Sequence, residues 1–318
     1  MILKPSIVIL TFNSERSIAD TLQSVASISD DIHVVDSFSQ DRTLEIARSF
    51  NAIILQHAFE SYSAQRNWSI DSLRFKYDWQ LHLDADERLT PELSKEISQL
   101  GETDEITGYY LPRRMHFLER PIRHGGLCPT WHMRLFRSGI GRCEMRKYDQ
   151  HFYVTSGKTR QLNSYMIDDL RMPLMEWTSR HNRWAEAEVE ELTSVAEPKY
   201  IQGKIVGSPV ERKRFLRDIY NGLPLFVRPF VLFFYRYFVR LGFLDGPTGL
   251  IFYVLQTFWF RFLIDAKLYE KRREHASEVR GPTVATGDLP VGAGLKDRRP
   301  TRRNQSPVAK EREAGSLS

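Results

Sequence analysis

Trp79-Gln80-Leu81-His82-Leu83-Asp84-Ala85-Asp86-Glu87 is a short run with an apolar side chain at every second position, and it ends abruptly in carboxylates. Trp79, Leu81 and Leu83 suit a buried strand. Asp84 and Asp86 stand i, i+2 where that strand gives way to a loop, so both can turn toward one hard cation. Mg2+ and Mn2+ accept such oxygen ligands together with substrate phosphates. A solvated acidic loop is the plain alternative, since Asp-x-Asp alone is a common pattern.

Two upstream segments favour the cation. Ser6-Ile7-Val8-Ile9-Leu10-Thr11-Phe12 is an apolar, β-branched run of buried-strand type, followed by Asn13 and Ser14 and then by Ile18, Leu22, Val25 and Ile28 at helical spacing. Ile32-His33-Val34-Val35-Asp36 predicts a second strand, Leu44, Ala47 and Phe50 a helix, and Ala52 to Leu55 a third strand. Strands alternating with helices imply a parallel α/β sheet, whose ligands bind beyond the carboxyl ends of the strands. The polar clusters at 11–15, 36–43 and 84–87 all fall at such ends. Asp36 is placed to accept hydrogen bonds from a base or ribose, whereas Ser39, Asp41 and Thr43 read mainly as caps of the next helix. No Gly-x-Gly-x-x-Gly or Gly-x4-Gly-Lys-Ser/Thr loop occurs, which argues against dinucleotide oxidoreductases and P-loop enzymes.

Further along, Thr90 should cap a helix that begins at Pro91. Residues 108–137 read as strands and loops dense in Arg and aromatic side chains. Among them Arg113, Arg114, Arg120 and Arg123 form a basic cluster, suited to a phosphate or simply to solvent. From Asp168 to about Leu192 a helical pattern runs through Trp177, His181 and Trp184, a spacing typical of a packed face. His57, His82, His116, His124 and His132 lack zinc-site spacing. Cys128 and Cys143 are the only cysteines, which excludes a disulfide framework and suits a reduced compartment. The N-terminus has no apolar stretch of signal-peptide length, so the first domain is expected in the cytoplasm.

The charge is unevenly spread. Residues 199–275 hold 14 Lys/Arg against 6 Asp/Glu, while residues 1–198 hold 23 against 29. The basic part is also rich in Phe, Tyr, Leu and Trp, which points to an anionic membrane surface before nucleic acid, because the aromatics lie in long apolar runs. Leu223 to Phe243 and Leu250 to Ala266 are nearly long enough to span a bilayer. Arg228, Arg236, Arg240, Gln256 and Arg261 interrupt them, so interfacial helices are expected, with the arginines reaching anionic lipid phosphates and a turn at Leu244 to Gly249. The expected organisation is a catalytic domain over 1–198, a membrane-associating helical region over 199–275 and a disordered tail over 276–318.

Taken together, Ser6 to Asn13, Val34 to Thr43 and Leu83-Asp84-Ala85-Asp86-Glu87 resemble family 2 glycosyltransferases, in order and at familiar intervals. Gln65-Arg66-Asn67-Trp68 and Arg134-Leu135-Phe136-Arg137 resemble the branch that contains lipopolysaccharide-core glucosyltransferases. The resemblance covers roughly residues 5–190. It implies a GT-A fold, that is, a Rossmann-like mixed sheet binding a nucleotide-diphospho-sugar, an inverting mechanism, and a Mg2+ or Mn2+ ion held by Asp84 and Asp86. It further implies that Thr11, Asn13, Asp36 and Asp84 line the nucleotide-sugar pocket, with Arg66 near the diphosphate. Where the branch carries Val-His-Glu, this chain has Lys147-Tyr148-Asp149-Gln150-His151-Phe152, which opens the question of the acceptor.

An inverting transfer needs a base to deprotonate the acceptor hydroxyl, and Asp149 is the first candidate, His151 the second; the plain alternative makes both ordinary loop residues. The expected activity is transfer of a sugar from a nucleotide-sugar donor to a membrane-anchored glycan, at the cytoplasmic face of the inner membrane. The rivals are transfer to a polyprenyl phosphate and a non-catalytic membrane scaffold with a vestigial nucleotide pocket.

Overall fold

The computed structural model describes residues 2–101, 105–147, 149–194 and 201–280. Three parallel strands, β1 (Pro5–Thr11), β2 (Ile32–Asp36) and β3 (Ile53–Gln56), are connected by helices α1 (Ile18–Val25) and α2 (Thr43–Ser49). Helix α3 (Tyr62–Ser72) then leads to β4 (Trp79–Asp84), which lies parallel to β1 on its other side. The β-branched strands are buried because helices cover both faces. Ile18, Leu22 and Val25 of α1 join Ile7, Ile9 and Leu81 in the larger cluster, while Val8 and Val35 face Leu73 and Trp68 across the sheet. Beyond β4 come a short β5 (Glu87–Leu89) and α4 (Pro91–Ser98), where the Thr90 hydroxyl accepts the Leu93 amide as the sequence predicts.

The remaining strands make the sheet mixed. They are β6 (Ile106–Phe117), β7 (Arg120–Pro121), β8 (Thr130–Arg137), β9 (Gly141–Cys143), β10 (Phe152–Val154), β11 (Lys158–Gln161) and β12 (Met166–Leu170). The sheet runs β3-β2-β1-β4-β8-β6-β12-β5, with β7 and β11 also paired to β6 and a separate β9–β10 hairpin. Strand β8 is antiparallel to both β4 and β6. Residues 168–170 therefore belong to a strand and not to the expected helix, which begins only at Leu174 in α5 (Leu174–Thr193). Pro173 at its N-cap makes the start late, since the residue before a proline avoids helical backbone. β12 instead pairs with β5 and β6, setting Asp168 opposite Glu87 and Met115.

Helix α6 (Pro209–Asn221) opens with a full capping box between Ser208 and Glu211. The apolar runs then form α7 (Arg228–Phe234), a π-helical turn at Tyr235–Val239, a 3-10 turn at Gly242–Asp245 and α8 (Gly246–Tyr253). Another π-helical turn, Val254–Trp259, joins α8 to α9 (Phe260–Arg280). The break between the two runs thus falls before Gly246, and Pro247 starts α8 at a position where its missing N–H costs nothing. Met1–His275 form one compact unit and Ala276–Ser318 a second. Within the first unit Phe252 and Tyr253 pack with Trp177 and Phe117, and Phe260, Ile264 and Leu268 pack on Ala185 and Val189 of α5. Apart from residues 276–280, the expected disordered tail lies outside the described residues.

Candidate active site

Register places the polar strand ends side by side. Thr11 is the partner of Asp36, Leu10 of Asp84, and Asp36 of Gln56, so the carboxyl ends of β3, β2, β1 and β4 form one row. Two loops beyond that row are laced together. Asn13 donates its amide to the Ser39 hydroxyl and accepts the Gln40 amide on its side-chain oxygen, and the Ser14 amide reaches the Thr43 hydroxyl. Asn13 sits at φ 47°, a left-handed backbone that Asn tolerates better than most residues. Asp36 is fully buried, and its carboxylate accepts the Ser39 amide and hydroxyl and the Gln56 amide nitrogen. It therefore organises the loop. The Thr11 hydroxyl, by contrast, is buried with no hydrogen-bond partner.

Asp84 is held by arginines. Arg66 Nη2 lies 3.0 Å from both of its oxygens and Arg134 Nη2 2.8 Å from Oδ2. Burial alone would raise the Asp84 pKa, but the two guanidinium charges outweigh it and hold the carboxyl well below the usual range. Arg134 also donates to Glu87 at 2.6 Å, and Arg113 bridges Glu87 at 3.3 Å and Asp168 at 3.1 Å. Asp86 has a different neighbourhood. Its nearest cation is Arg180 of α5, 4.0 Å away, and burial together with the Asp168 charge pushes its pKa up to about 7. Thr21 fixes the loop between the two aspartates by donating to the Ala85 carbonyl.

This geometry separates the two expected metal ligands. The Asp84 carboxylate is held by Arg66 and Arg134 and Asp168 is paired with Arg113, whereas Asp86 has only Arg180, at 4.0 Å, which leaves it the least compensated of the three and the one whose charge a divalent ion would relieve. Among the described residues, no group of three or more His, Cys, Asp or Glu side chains is arranged to hold a metal. An ion at this centre would be held through Asp86, with its other ligands from diphosphate and water, a sparse protein set normal for Mg2+.

The base candidates lie on the loop before β10. Asp149 accepts from Lys213 at 2.9 Å and from Arg217 at 2.8 Å, both on α6. Burial opposes ionisation, but the charges of Lys213 and Arg217 more than offset it and hold the Asp149 pKa well below the carboxylate norm. His151 is buried, its Nδ1 has no partner, and its Nε2 lies 3.4 Å from Asp149 without the alignment of a hydrogen bond. Burial keeps its pKa below the ordinary value, so the ring is neutral at pH 7. The neighbouring Phe152 ring lies 5.4 Å from the Arg66 guanidinium and 5.9 Å from that of Arg134, which joins this loop to the arginine cluster.

Asp168 and Arg180 carry no sequence signal for this centre, while Arg113 stands in the basic cluster and Arg134 in the Arg-Leu-Phe-Arg motif without either pattern showing which carboxylates they meet. One signal was available for Arg134, whose alternation with Phe136 on β8 puts a cation on the same strand face as a core aromatic.

Residues 6–159 match the family described as glycosyl transferase family 2. A mixed sheet with polar strand ends beside a charged loop is the GT-A arrangement, and the stretch that matches glycosyl transferase family 2 carries its first strands. Over 97 residues, 30% of its length, the chain is 37% identical to an uncharacterized glycosyltransferase of Rickettsia typhi and 36% identical to one of Rickettsia prowazekii. Those matches span about a third of each relative, 32%. Among solved structures, S. aureus TarS 1–349 in complex with UDP-GlcNAc aligns over 85% of this chain and 92% of that one, at 14% identity and a TM-score of 0.40. Glucosyl-3-phosphoglycerate synthase from Mycobacterium tuberculosis, in complex with Mn2+, UDP-glucose and phosphoglyceric acid, aligns over 35% of this chain and 44% of that one, at 18% identity and a TM-score of 0.31.

Proposed function

We propose that the protein is an inverting glycosyltransferase, moving a sugar from a nucleotide-diphosphate donor to a membrane-anchored glycan such as a lipopolysaccharide core or a lipid-linked polysaccharide. One observation carries this reading. Within the stretch that matches family 2, Thr11, Asp36 and Asp84 line up at the carboxyl ends of three adjacent strands, and Asp86 just beyond them has only Arg180, 4.0 Å away, as a cation. Thr11 and Asn13 would meet the nucleotide, with the unpartnered Thr11 hydroxyl as its donor or acceptor. Asp36 supports that pocket by shaping its loop, and Asp84 supports it by fixing Arg66, whose guanidinium would face the diphosphate.

A Mg2+ or Mn2+ ion held through Asp86 would neutralise charge on the departing nucleoside diphosphate. Deprotonation of the acceptor hydroxyl falls to His151 in preference to Asp149, because a neutral imidazole with free nitrogens can take a proton and a doubly ion-paired carboxylate cannot do so readily. The acceptor would be met at the cytoplasmic face of the inner membrane, against which helices α7 to α9 rest.

The pairing of Asp149 also favours a second reading, transfer to a polyprenyl phosphate, since an anionic acceptor needs no base. The test is nucleotide release from a panel of UDP-sugars with Mn2+, with and without membrane extract as acceptor. Extract-dependent release is expected; no release with any donor or extract would reject the enzymatic reading.

A further inference from the structure

Helices α7 to α9 leave an apolar surface whose charges have been turned away from it. Val227, Phe230, Val231, Phe234 and Phe238 follow one another at helical spacing and are each about half exposed. On the second helix Ile251, Val254 and Phe262 continue the surface, and the Phe230 and Phe258 rings join the two stripes with centroids 4.7 Å apart. With Leu241, Phe243 and Leu244 at the tip, the exposed area is on the order of 1,000 Å2, taking about half of the 150–250 Å2 that an aromatic side chain can bury. Contiguous apolar patches on soluble monomers seldom exceed roughly 300–600 Å2.

The four charged residues between 223 and 259 are Arg228, Arg236, Arg240 and Asp245. Arg228 is buried and donates to Asp265 at 2.7 Å. Arg236 donates to the Gly125 carbonyl at 3.1 Å. Asp245 accepts the Arg123 and His124 amides and lies 2.7 Å from His124 Nδ1. Arg240 alone stays exposed, at the rim against Gly126. Farther along, Arg261 is committed to Glu188 at 3.0 Å. The arginines expected to reach out to lipid phosphates thus point into the protein or lie at its edge.

We infer that this surface enters the hydrocarbon of one leaflet, and that it binds membranes independently of lipid charge. The inference rests on the membrane reading above and specifies its physical mode. Protein partners are a poorer match, because protein interfaces carry about one hydrogen bond per 100–200 Å2, and exposed side chains from 227 to 244 offer only Tyr235 and Arg240 for that purpose. Crossing the bilayer is a poorer match too. The helix Gly242–Ala276 is long and apolar enough to cross a membrane, yet its other face packs along α5 from Phe252 to Leu268, a length of about 24 Å at 1.5 Å per residue. A helix sealed to a catalytic domain along that length lies on a leaflet and does not pass through it.

The experiment is flotation of the full chain with vesicles of neutral phosphatidylcholine, and with the same vesicles containing phosphatidylglycerol. Binding to the two should agree within about twofold and survive high salt. The exposed double substitution Phe234→Glu, Phe238→Glu should weaken both at least tenfold with an unchanged circular dichroism spectrum. A spin label at Phe238→Cys should become accessible to oxygen and shielded from a nickel chelate on neutral vesicles. Binding confined to anionic vesicles, or a label still open to nickel, would overturn hydrocarbon entry while leaving the membrane reading standing. Binding to neither vesicle, with a dimer that the double substitution dissociates, would overturn both.

Discussion

Asp84 and Arg134 sit on the neighbouring strands β4 and β8, joined by a 2.8 Å hydrogen bond, and the same Arg134 nitrogen reaches Glu87 at 2.6 Å. Both Arg134 and Glu87 are almost fully buried, so this cation holds two carboxylates that would otherwise repel each other out of water. Breaking such a buried pair costs about 3–5 kcal/mol. Because Arg66 still faces Asp84 and Arg113 still faces Glu87, Arg134→Met should fall near the lower end, about 3 kcal/mol in urea unfolding. A loss below about 1 kcal/mol would show that the neighbouring arginines suffice.

The two aspartates of the loop should separate in their effects. Asp86→Asn is expected to abolish Mn2+ binding in the presence of nucleoside diphosphate, read by electron paramagnetic resonance, with little change in melting temperature. Asp84→Asn should instead lower the melting temperature by several degrees, because it leaves Arg66 and Arg134 short of an anion. Equal loss of Mn2+ in both variants would mean that Asp84 releases its arginines to bind the ion.

Asp149 and His151 make a second contrast. Removing the carboxylate takes an anionic partner from Lys213 and leaves Arg217 with Glu188, so Asp149→Asn should cost stability and keep kcat within about tenfold. His151→Gln should lower kcat by about 10²–10⁴-fold with donor affinity retained, the range for loss of a general base. Full activity in both variants would favour the phosphate acceptor.

Acid should unfold the protein through its histidines. His181, stacked on Trp177, has its pKa lowered to about 4, chiefly by burial. Its unfolded value is about 6.5, so between pH 6.5 and 4 the unfolded chain binds a proton that the folded one refuses. The sign is therefore a stability that is complete above pH 6.5 and declines as pH falls toward 4. His82, His132 and His151 are shifted in the same direction, each with burial as the main cause. His181→Gln should flatten part of the decline in melting temperature over that window; an identical pH profile would show that the other histidines dominate.

The strands and their polar ends were legible in the sequence because their causes are local. Alternation at Trp79, Leu81 and Leu83, β-branched runs at 6–12 and 32–35, and Thr90 before Pro91 each fix backbone within a few residues. The partners of those ends were not legible. Arg113 meets Glu87 across 26 positions and Arg134 meets Asp84 across 50, while Asp168 arrives through a strand that the helical pattern downstream of it had masked. Local pattern likewise marked Arg228 and Arg261 as interruptions of apolar helices, but not the Asp265 and Glu188 that receive them. Sequence alone determined where carboxylates and arginines stand along the chain, since propensity and periodicity act between near neighbours. Only the tertiary structure decided which charges cancel and which remain, because Coulomb energy in a buried site depends on separations of a few ångströms that chain order does not encode.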